Sequence, residues 1–505
     1  MSVAFFAREA PERLAIQSPH GTRSFAELNR RANQLASALR RRGLGVGDPI
    51  AFVCANRPEF AEVFFAAYRS GLRVTAINWH LTGPEIAYIL GNCGAHAFFC
   101  DARFAAAGAA AVEEMESPPS HRIALAGAID GFDPLDDLLE GESGEDIEGP
   151  VLGTQMLYTS GTTGRPKGVY REKPPPRRAG QSAVSQAHRY ESGVSVHLAT
   201  GPLYHAAPLA FSLTLPLIQG CTVVMMDGWD AADALEQIDV HRISHTHMVP
   251  TMFHQMLSLP ENVRAAHDLS SLRMVLHGAA PCPVSVKQRL IEWLGPVVYE
   301  YYAATEGWGS FVTSEEWLER PGTVGKPEEG QIKILDEEGK EQPPTAEGLI
   351  YIHSPEPFEY YGDPEKTDQS FRDDYFTLGD IGYLDVDGWL FLCDRSADLI
   401  ISGGVNIYPA EVDAALLEHP AVRDAATVGV PDEKWGESVL AVVDLQPGHT
   451  PGAELERRLV DFCRERLAHY KCPRRVAFDA DLPRFDTGKI YRRLLRERYR
   501  EQPPA

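Results

Sequence analysis

Tyr158-Thr159-Ser160-Gly161-Thr162-Thr163-Gly164-Arg165-Pro166-Lys167-Gly168 follows a β-rich run, Thr154 to Tyr158, that is predicted to be a strand. Hydroxyls, glycines and one lysine in such close succession suit a polyphosphate, which needs small donors that approach closely, open backbone amides and a countercharge. The string is not a Walker loop, because Gly164 has no second glycine five residues on followed by Lys-Ser or Lys-Thr. A phosphate-binding strap of another type is expected.

The surrounding pattern alternates strands with helices. Ser24 and Glu27 form a capping box ahead of Leu28, Ala32, Leu35 and Leu39 at helical spacing. Ile50 to Cys54 reads as a buried strand, Pro58 to Tyr68 as a helix stopped at Gly71, and Val74 to Ile77 as the next strand. The rhythm returns at Thr222 to Met226, Ser244 to Val249 and Met274 to His277. An α/β fold follows: a large amino-terminal domain, 1–394, with mostly parallel sheets flanked by helices. The pattern changes at Asp394-Arg395, where a small α+β carboxy-terminal domain, 395–505, begins. Within it Pro409 suits a first helical turn, and Val412, Ala415 and Leu416 form an apolar stripe ended by Pro420.

Composition excludes several classes of function. At 505 residues the chain exceeds one ordinary core. With 48 basic against 71 acidic side chains the formal charge is -23, which repels nucleic acid and acidic lipid over most of the surface. The basic tract Arg171 to Arg178 encloses Pro174-Pro175-Pro176 and reads as an exposed loop. Cysteines at 54, 93, 100, 221, 282, 393, 463 and 472 form no Cys-x-x-Cys pair, so no zinc site or disulfide framework is indicated and a reducing cytoplasm fits. No apolar run approaches the roughly 18 residues of a membrane span, so neither export nor anchoring is expected.

Further motifs occur in order: Tyr204-His205; His277-Gly278-Ala279-Ala280-Pro281; Tyr302-Ala303-Ala304-Thr305-Glu306-Gly307; Gly322-Thr323-Val324-Gly325-Lys326-Pro327; Thr377-Leu378-Gly379-Asp380; Ser402-Gly403-Gly404-Val405-Asn406-Ile407-Tyr408-Pro409-Ala410-Glu411; and Pro483-Arg484-Phe485-Asp486-Thr487-Gly488-Lys489. Together with the strap, and along nearly the whole chain, they resemble the adenylate-forming superfamily of acyl-CoA synthetases, aryl-CoA ligases, luciferases and peptide-synthetase adenylation domains. The resemblance implies ATP, Mg2+ and coenzyme A as reactants, and a small domain that turns about a hinge between two half-reactions.

It also implies roles. Lys489 bridges the substrate carboxylate and α-phosphate, Thr305 binds the α-phosphate, and Glu306, with Thr159, holds magnesium. The nucleotide is gripped by Thr159 to Gly164 and Lys167, by the base slot Gly278 to Pro281 and by Tyr301, Tyr302 and Ala303. Asp380 and Arg395 bind the ribose; a fixed carboxylate accepts from both ribose hydroxyls. His205 gates a thiol tunnel walled by Ser402, Gly403 and Gly404, where missing side chains permit close approach. Three departures stand out: Ala303 replaces a common glycine, Ala397 a common lysine or aspartate at the hinge, and Asp394 a common glycine.

The resemblance places the acid between the chain after His205 and the stretch after Glu306, which here supplies Ala206, Ala207, Pro208, Leu209, Phe211, Gly307 and Trp308. These small and apolar groups predict a roomy, greasy cavity for a medium-to-long or polycyclic acid, such as a fatty, terpenoid, steroid or bile acid. No aspartate follows Tyr204-His205 to bind an α-amino group. The histidines at 241, 245 and 247 read as an ordinary strand rather than a metal site, since His245 and His247 fall at strand spacing without a carboxylate partner. Alternatives are loading of a separate carrier protein, a catalytically silent nucleotide-binding protein and a luciferase-like oxygenase. Intact Lys489, Glu306, Asp380 and Arg395 argue against the silent form, and nothing favours the oxygenase. A homodimer is compatible with the resemblance; nucleic-acid and membrane-spanning partners are not expected.

Overall fold

Ser24 and Glu27 close the expected capping box on the helix Phe25–Arg41, the Glu27 amide donating to Ser24 Oγ and the Ser24 amide to Glu27 Oε2. The helix buries Leu28, Ala32, Leu35 and Leu39 against Pro58–Arg69, whose first turn is set by Pro58. The computed structural model describes residues 2–159, 166–172, 187, 189–354, 356–395, 398–402, 405–432, 435–484 and 490–500.

Two sheets dominate the large amino-terminal part. One is six-stranded and wholly parallel, with Pro49–Val53 and Ala97–Asp101 buried along their whole lengths. Strands buried on both faces read as continuous apolar runs, which is why Ile50 to Cys54 was recognisable. The second is eight-stranded: Val196–Ala199, Thr222–Met225, His245–Met248, Met274–His277 and Val298–Ala304 run parallel, with Gly307–Val312 turning back antiparallel at one edge. A third sheet, six-stranded and antiparallel, includes Gly348–His353, Tyr375–Leu384 and Leu390–Arg395. The last part of the chain forms a five-stranded sheet with helices Pro409–Leu417, Ala453–Arg464 and Arg492–Tyr499 around cores of its own.

The expected strand Thr154 to Tyr158 divides between two sheets. Thr154–Gln155 continues the parallel sheet beside Arg73–Ile77, whereas Leu157–Thr159 pairs antiparallel with Lys167–Tyr170. Met156 is the pivot: its amide donates to Val74 O, its carbonyl accepts from Thr75 Oγ1, and its side chain is buried. Lys167–Tyr170 then pairs with Glu359–Tyr360, so the strap springs from a three-stranded ribbon. The helix after Pro409 ends at Leu417, short of Pro420.

Beneath the strand Val298–Ala304 lies a buried ion pair. Lys287 Nζ donates to Glu300 Oε2 at 2.6 Å, with the ammonium 5.0 Å from the Trp317 ring centre. Burial pushes the Glu300 carboxyl up and Lys287 pulls it down. Removing one partner strands the other charge in the interior. Lys287→Met is therefore expected to cost about 3–5 kcal/mol of stability in chemical denaturation.

Candidate active site

Two cavities share a wall. One, of about 510 Å³, lies beside His205, Phe211, His247 and Trp308; the other, of about 900 Å³, lies beside Ala280, Pro281, Tyr302 and Asp380. Ala279, Tyr301, Ala303 and Ala304 line both. The shared wall comes from two strand ends: Ala279 follows Met274–His277, and the others close Val298–Ala304. Gly278 is needed there, because a Cβ would lie 2.6 Å from Tyr301 Cζ. Ala279 is held at φ 69°, a left-handed conformation unusual for a non-glycine residue, at the point where the cavities meet.

In the larger cavity the Tyr302 hydroxyl donates to Asp380 Oδ2 at 2.8 Å, joining two residues that lie far apart in sequence. Asp380 stands opposite Arg395 across antiparallel strands; nothing is described of the Arg395 side chain. Residues from the last part of the chain, among them Tyr408, Lys471, Arg484 and Ile490, complete this cavity. Asp394 accepts from the Ala410 amide at 2.9 Å, a bond that a glycine at 394 would lack.

Thr305 and Glu306 form the turn between Val298–Ala304 and Gly307–Val312. Thr305 lines the smaller cavity, and Glu306 is buried with its Oε1 accepting from the Tyr360 hydroxyl at 2.9 Å. Arg171 holds the turn from the other side: Nη1 donates to Thr305 O at 3.3 Å and Nη2 to Glu306 O. Its guanidinium lies over Phe358 and lines the smaller cavity. Arg171 thus faces inward, against the expectation of an exposed loop, whereas Glu172 is exposed and the rest of the basic tract, with Pro174 to Pro176, lies outside the described residues.

His205, Ala206, Ala207, Phe211, Gly307 and Trp308 all line the smaller cavity, as does Pro208, whereas Leu209 belongs to the core. Pro208–Thr214 is π-helical, a wide turn often found at functional sites, and carries Phe211 inward. Asn56 ties down the preceding loop: its Nδ2 donates to Gly201 O and Met226 O, and its Oδ1 accepts from the Leu203 amide. The cavity is less uniformly apolar than expected, because Thr200, His247 and Arg171 also line it. His245 and His247 do lie on a strand, and among the described residues no cluster of three or more His, Cys, Asp or Glu is placed to hold a metal.

Some predicted residues stand apart or escape description. Lys167 is ion-paired to Asp363 at 3.0 Å, and Thr159 ends its strand opposite it. Neither these two nor Gly278 and Glu306 appear in the cavity walls described. Ser402 pairs with Val405 at a hairpin. Ser160, Gly161, Thr162, Thr163, Gly164, Gly403, Gly404 and Lys489 lie outside the described residues. Sequence reading missed Asn56, Arg171, His247 and Tyr360; only His247, two residues from His245 on a predicted strand, carried a signal.

Residues 4–361 match the family model described as AMP-binding enzyme, and 411–489 match that of the AMP-binding enzyme C-terminal domain. The chain belongs to the AMP-binding enzyme family. This AMP-binding enzyme is 33% identical over 508 residues to the fatty acid–[acyl-carrier-protein] ligase ScoC of Streptomyces coeruleorubidus, covering 99% of this chain and 96% of that one. It is 32% identical over 495 residues to the long-chain-fatty-acid–CoA ligase FadD13 of Mycobacterium tuberculosis, covering 95% and 94%. Among solved structures it is similar to the anthranilate CoA ligase AuaEII in complex with anthranoyl-AMP, with a TM-score of 0.87 and 27% identity over 98% and 96% of the two chains. Among the described residues no helix is long and apolar enough to cross a membrane.

The double grip of Arg171 on the Thr305–Glu306 carbonyls makes a local prediction. In Arg171→Met the turn loses two charge-assisted hydrogen bonds. Amide hydrogen exchange over 303–308 is expected to quicken by about tenfold or more, while the strand His245–Met248 stays protected.

Proposed function

We propose that this AMP-binding enzyme is an AMP-forming ligase that activates a hydrophobic carboxylic acid with ATP and transfers the acyl group to the thiol of coenzyme A. One observation carries the reading: two cavities share the wall Ala279, Tyr301, Ala303 and Ala304, so an acid in one and a nucleotide in the other meet beside Thr305. The naming of ScoC, FadD13 and AuaEII as acid–thiol ligases supports it. Fatty or bulky polycyclic acids are the substrate class we infer.

In the first half-reaction a carboxylate oxygen attacks the α-phosphorus, the bond to the bridging oxygen breaks, and pyrophosphate leaves. Two anions must approach, so positive charge has to be fixed at the new bond in a site that excludes water. We assign that charge to Lys489, with Thr305 donating to the α-phosphate. Thr159 to Gly164 and Lys167 hold the outer phosphates, Asp380 and Arg395 the ribose, and Gly278 to Pro281 with Tyr301, Tyr302 and Ala303 the base. Glu306, fixed by Tyr360, is a carboxylate of the kind magnesium takes, and with Thr159 it would hold the ion. Bound there, Mg2+ would neutralise phosphate charge.

In the second half-reaction the thiol loses its proton, sulfur attacks the acyl carbon, and the bond to the AMP oxygen breaks. We infer that unit 395–505 turns against 1–394 between the steps, withdrawing Lys489 and bringing Ser402 to Gly404 to the thiol path beside His205. A carrier protein in place of CoA is the second reading, favoured by the similarity to ScoC.

Incubation with ATP, Mg2+ and a panel of acids is expected to release pyrophosphate, and to yield a thioester by mass once CoA is added. Thioester formed only on a phosphopantetheinylated carrier would move the assignment to the second reading. Lys489→Ala should cut adenylate formation by about 100-fold or more but spare thioester formation from supplied adenylate; equal loss in both steps contradicts its role. Tyr360→Phe removes that hydrogen bond from Glu306 and should raise the Mg2+ concentration for half-maximal ATP binding several-fold, measured by titration without acid.

A further inference from the structure

His247 and Tyr301 stand in a wall that Ala207, Phe211 and Trp308 make largely apolar and Thr200, His205 and Arg171 make partly polar. His247 Nε2 lies 2.9 Å from Tyr301 Oη, and both side chains line the smaller cavity at 2% and 4% exposure. Phe211 packs against both, 5.9 Å from the His247 ring and 5.2 Å from that of Tyr301. Trp308 lies nearly parallel to Tyr301, at 5.9 Å and 14°. Their positions are over-determined: Thr200 Oγ1 donates to the His247 carbonyl at 2.6 Å, and the Tyr301 ring is pressed against Gly278.

A pocket built only for an alkyl chain gains nothing from such a pair, since polar groups walled in by hydrocarbon forfeit water without gaining a partner from the ligand. The pair is also ambivalent. With Nε2 unprotonated, Tyr301 donates to it and its oxygen is left to accept; with Nε2 protonated, the ring donates and the tyrosine O–H is left to give. Burial pushes the Tyr301 hydroxyl up, which keeps it neutral and available in either sense. Flat faces at Phe211, Tyr301 and Trp308 favour a ring over a flexible chain.

We propose that the His247–Tyr301 pair makes this cavity selective for planar aromatic acids that carry a hydroxyl, amino or ring-nitrogen group, over straight-chain acids of similar length. The proposal rests on the ligase reading and replaces the fatty or polycyclic acids inferred there with ring acids that can hydrogen-bond. A site that hydrogen-bonds a substrate group rejects the analogue lacking it, because the buried partner is left unmade.

The test is kcat/KM for pyrophosphate release over a panel: benzoates and cinnamates with a hydroxyl or amino group at each ring position, their unsubstituted parents, and octanoate and decanoate. In the wild type the best substituted ring acid should exceed both its parent and the alkyl acids by about tenfold or more. His247→Phe and Tyr301→Phe should each bring the substituted-to-parent ratio towards one, while His247→Gln, which keeps a donor and an acceptor, should retain part of it. The ratio cancels any general loss of nucleotide binding. Preference for octanoate or decanoate in the wild type overturns the proposal but leaves the ligase reading intact. An unchanged ratio in His247→Phe, or equal loss for every acid as contact with the shared carboxylate would give, also overturns it. Absence of pyrophosphate release with every acid of the panel overturns the proposal, and its absence with long-chain and polycyclic acids as well overturns the ligase reading.

Discussion

Two anionic reactants must be brought together without either being free to drift, and the site proposed above depends for this on the hairpin turn at Thr305–Glu306. One of its strands supplies most of the shared wall, through Tyr301, Ala303 and Ala304, and the other lines the smaller cavity with Gly307 and Trp308. The turn is held by Arg171 through two backbone carbonyls and by Tyr360 through a side chain, and both clamps come from the small ribbon that carries the strap. Ribbon and turn are thereby tied together. A displacement of about 1 Å in such a constellation is enough to cost a large part of the rate.

The parallel sheets were legible because strands buried on both faces leave continuous apolar runs, as Ile50 to Val53 do, and because capping chemistry is local, as at Ser24 and Glu27. Clustered motifs likewise pointed to the wall: Ala279, Tyr301, Tyr302 and Ala303 meet although they lie on separate strands. What stayed hidden depends on contacts between distant segments. Arg171 follows a strand and precedes a proline tract, so its neighbours suggested exposure; only the register of Lys167–Tyr170 against Glu359–Tyr360 brings it under the turn. Met156 looks like an ordinary strand residue, yet its bonds to Val74 and Thr75 split the strand in two. Asn56 acts through backbone groups at 201, 203 and 226, which no local pattern announces.

The cavity wall illustrates a related point about polarity. Histidines at strand spacing are usually core residues satisfied by neighbours, and His245 fits that reading, bonded to Ser244 within its own strand end. His247 differs because the facing side chain is a tyrosine from a strand two positions away in the sheet, and because the space in front of both is open. Identical residues two apart thus face the same side of a sheet but meet different surroundings.

The larger cavity is bordered by many carboxylates, which would repel a nucleotide if they were free. Most are neutralised close at hand: Glu300 by Lys287, Glu411 by Lys471, Asp413 by Arg492, Asp424 by Arg484 and Asp444 by Arg423. Each of these pairs lies wholly on one side of the division proposed at 394 and 395. Among the described residues it is crossed by hydrogen bonds between His254 and the Arg423 carbonyl, Tyr408 and Glu347, and the Ala410 amide and Asp394, and by the attraction of Arg492 for Asp394. Breaking a buried ion pair costs several kcal/mol, whereas a hydrogen bond at a solvent-accessible seam is exchanged for one to water at little net loss. Ion pairs kept mostly within each unit and a seam made largely of exchangeable bonds suit the rotation proposed between two half-reactions, because turning the units then strands little charge.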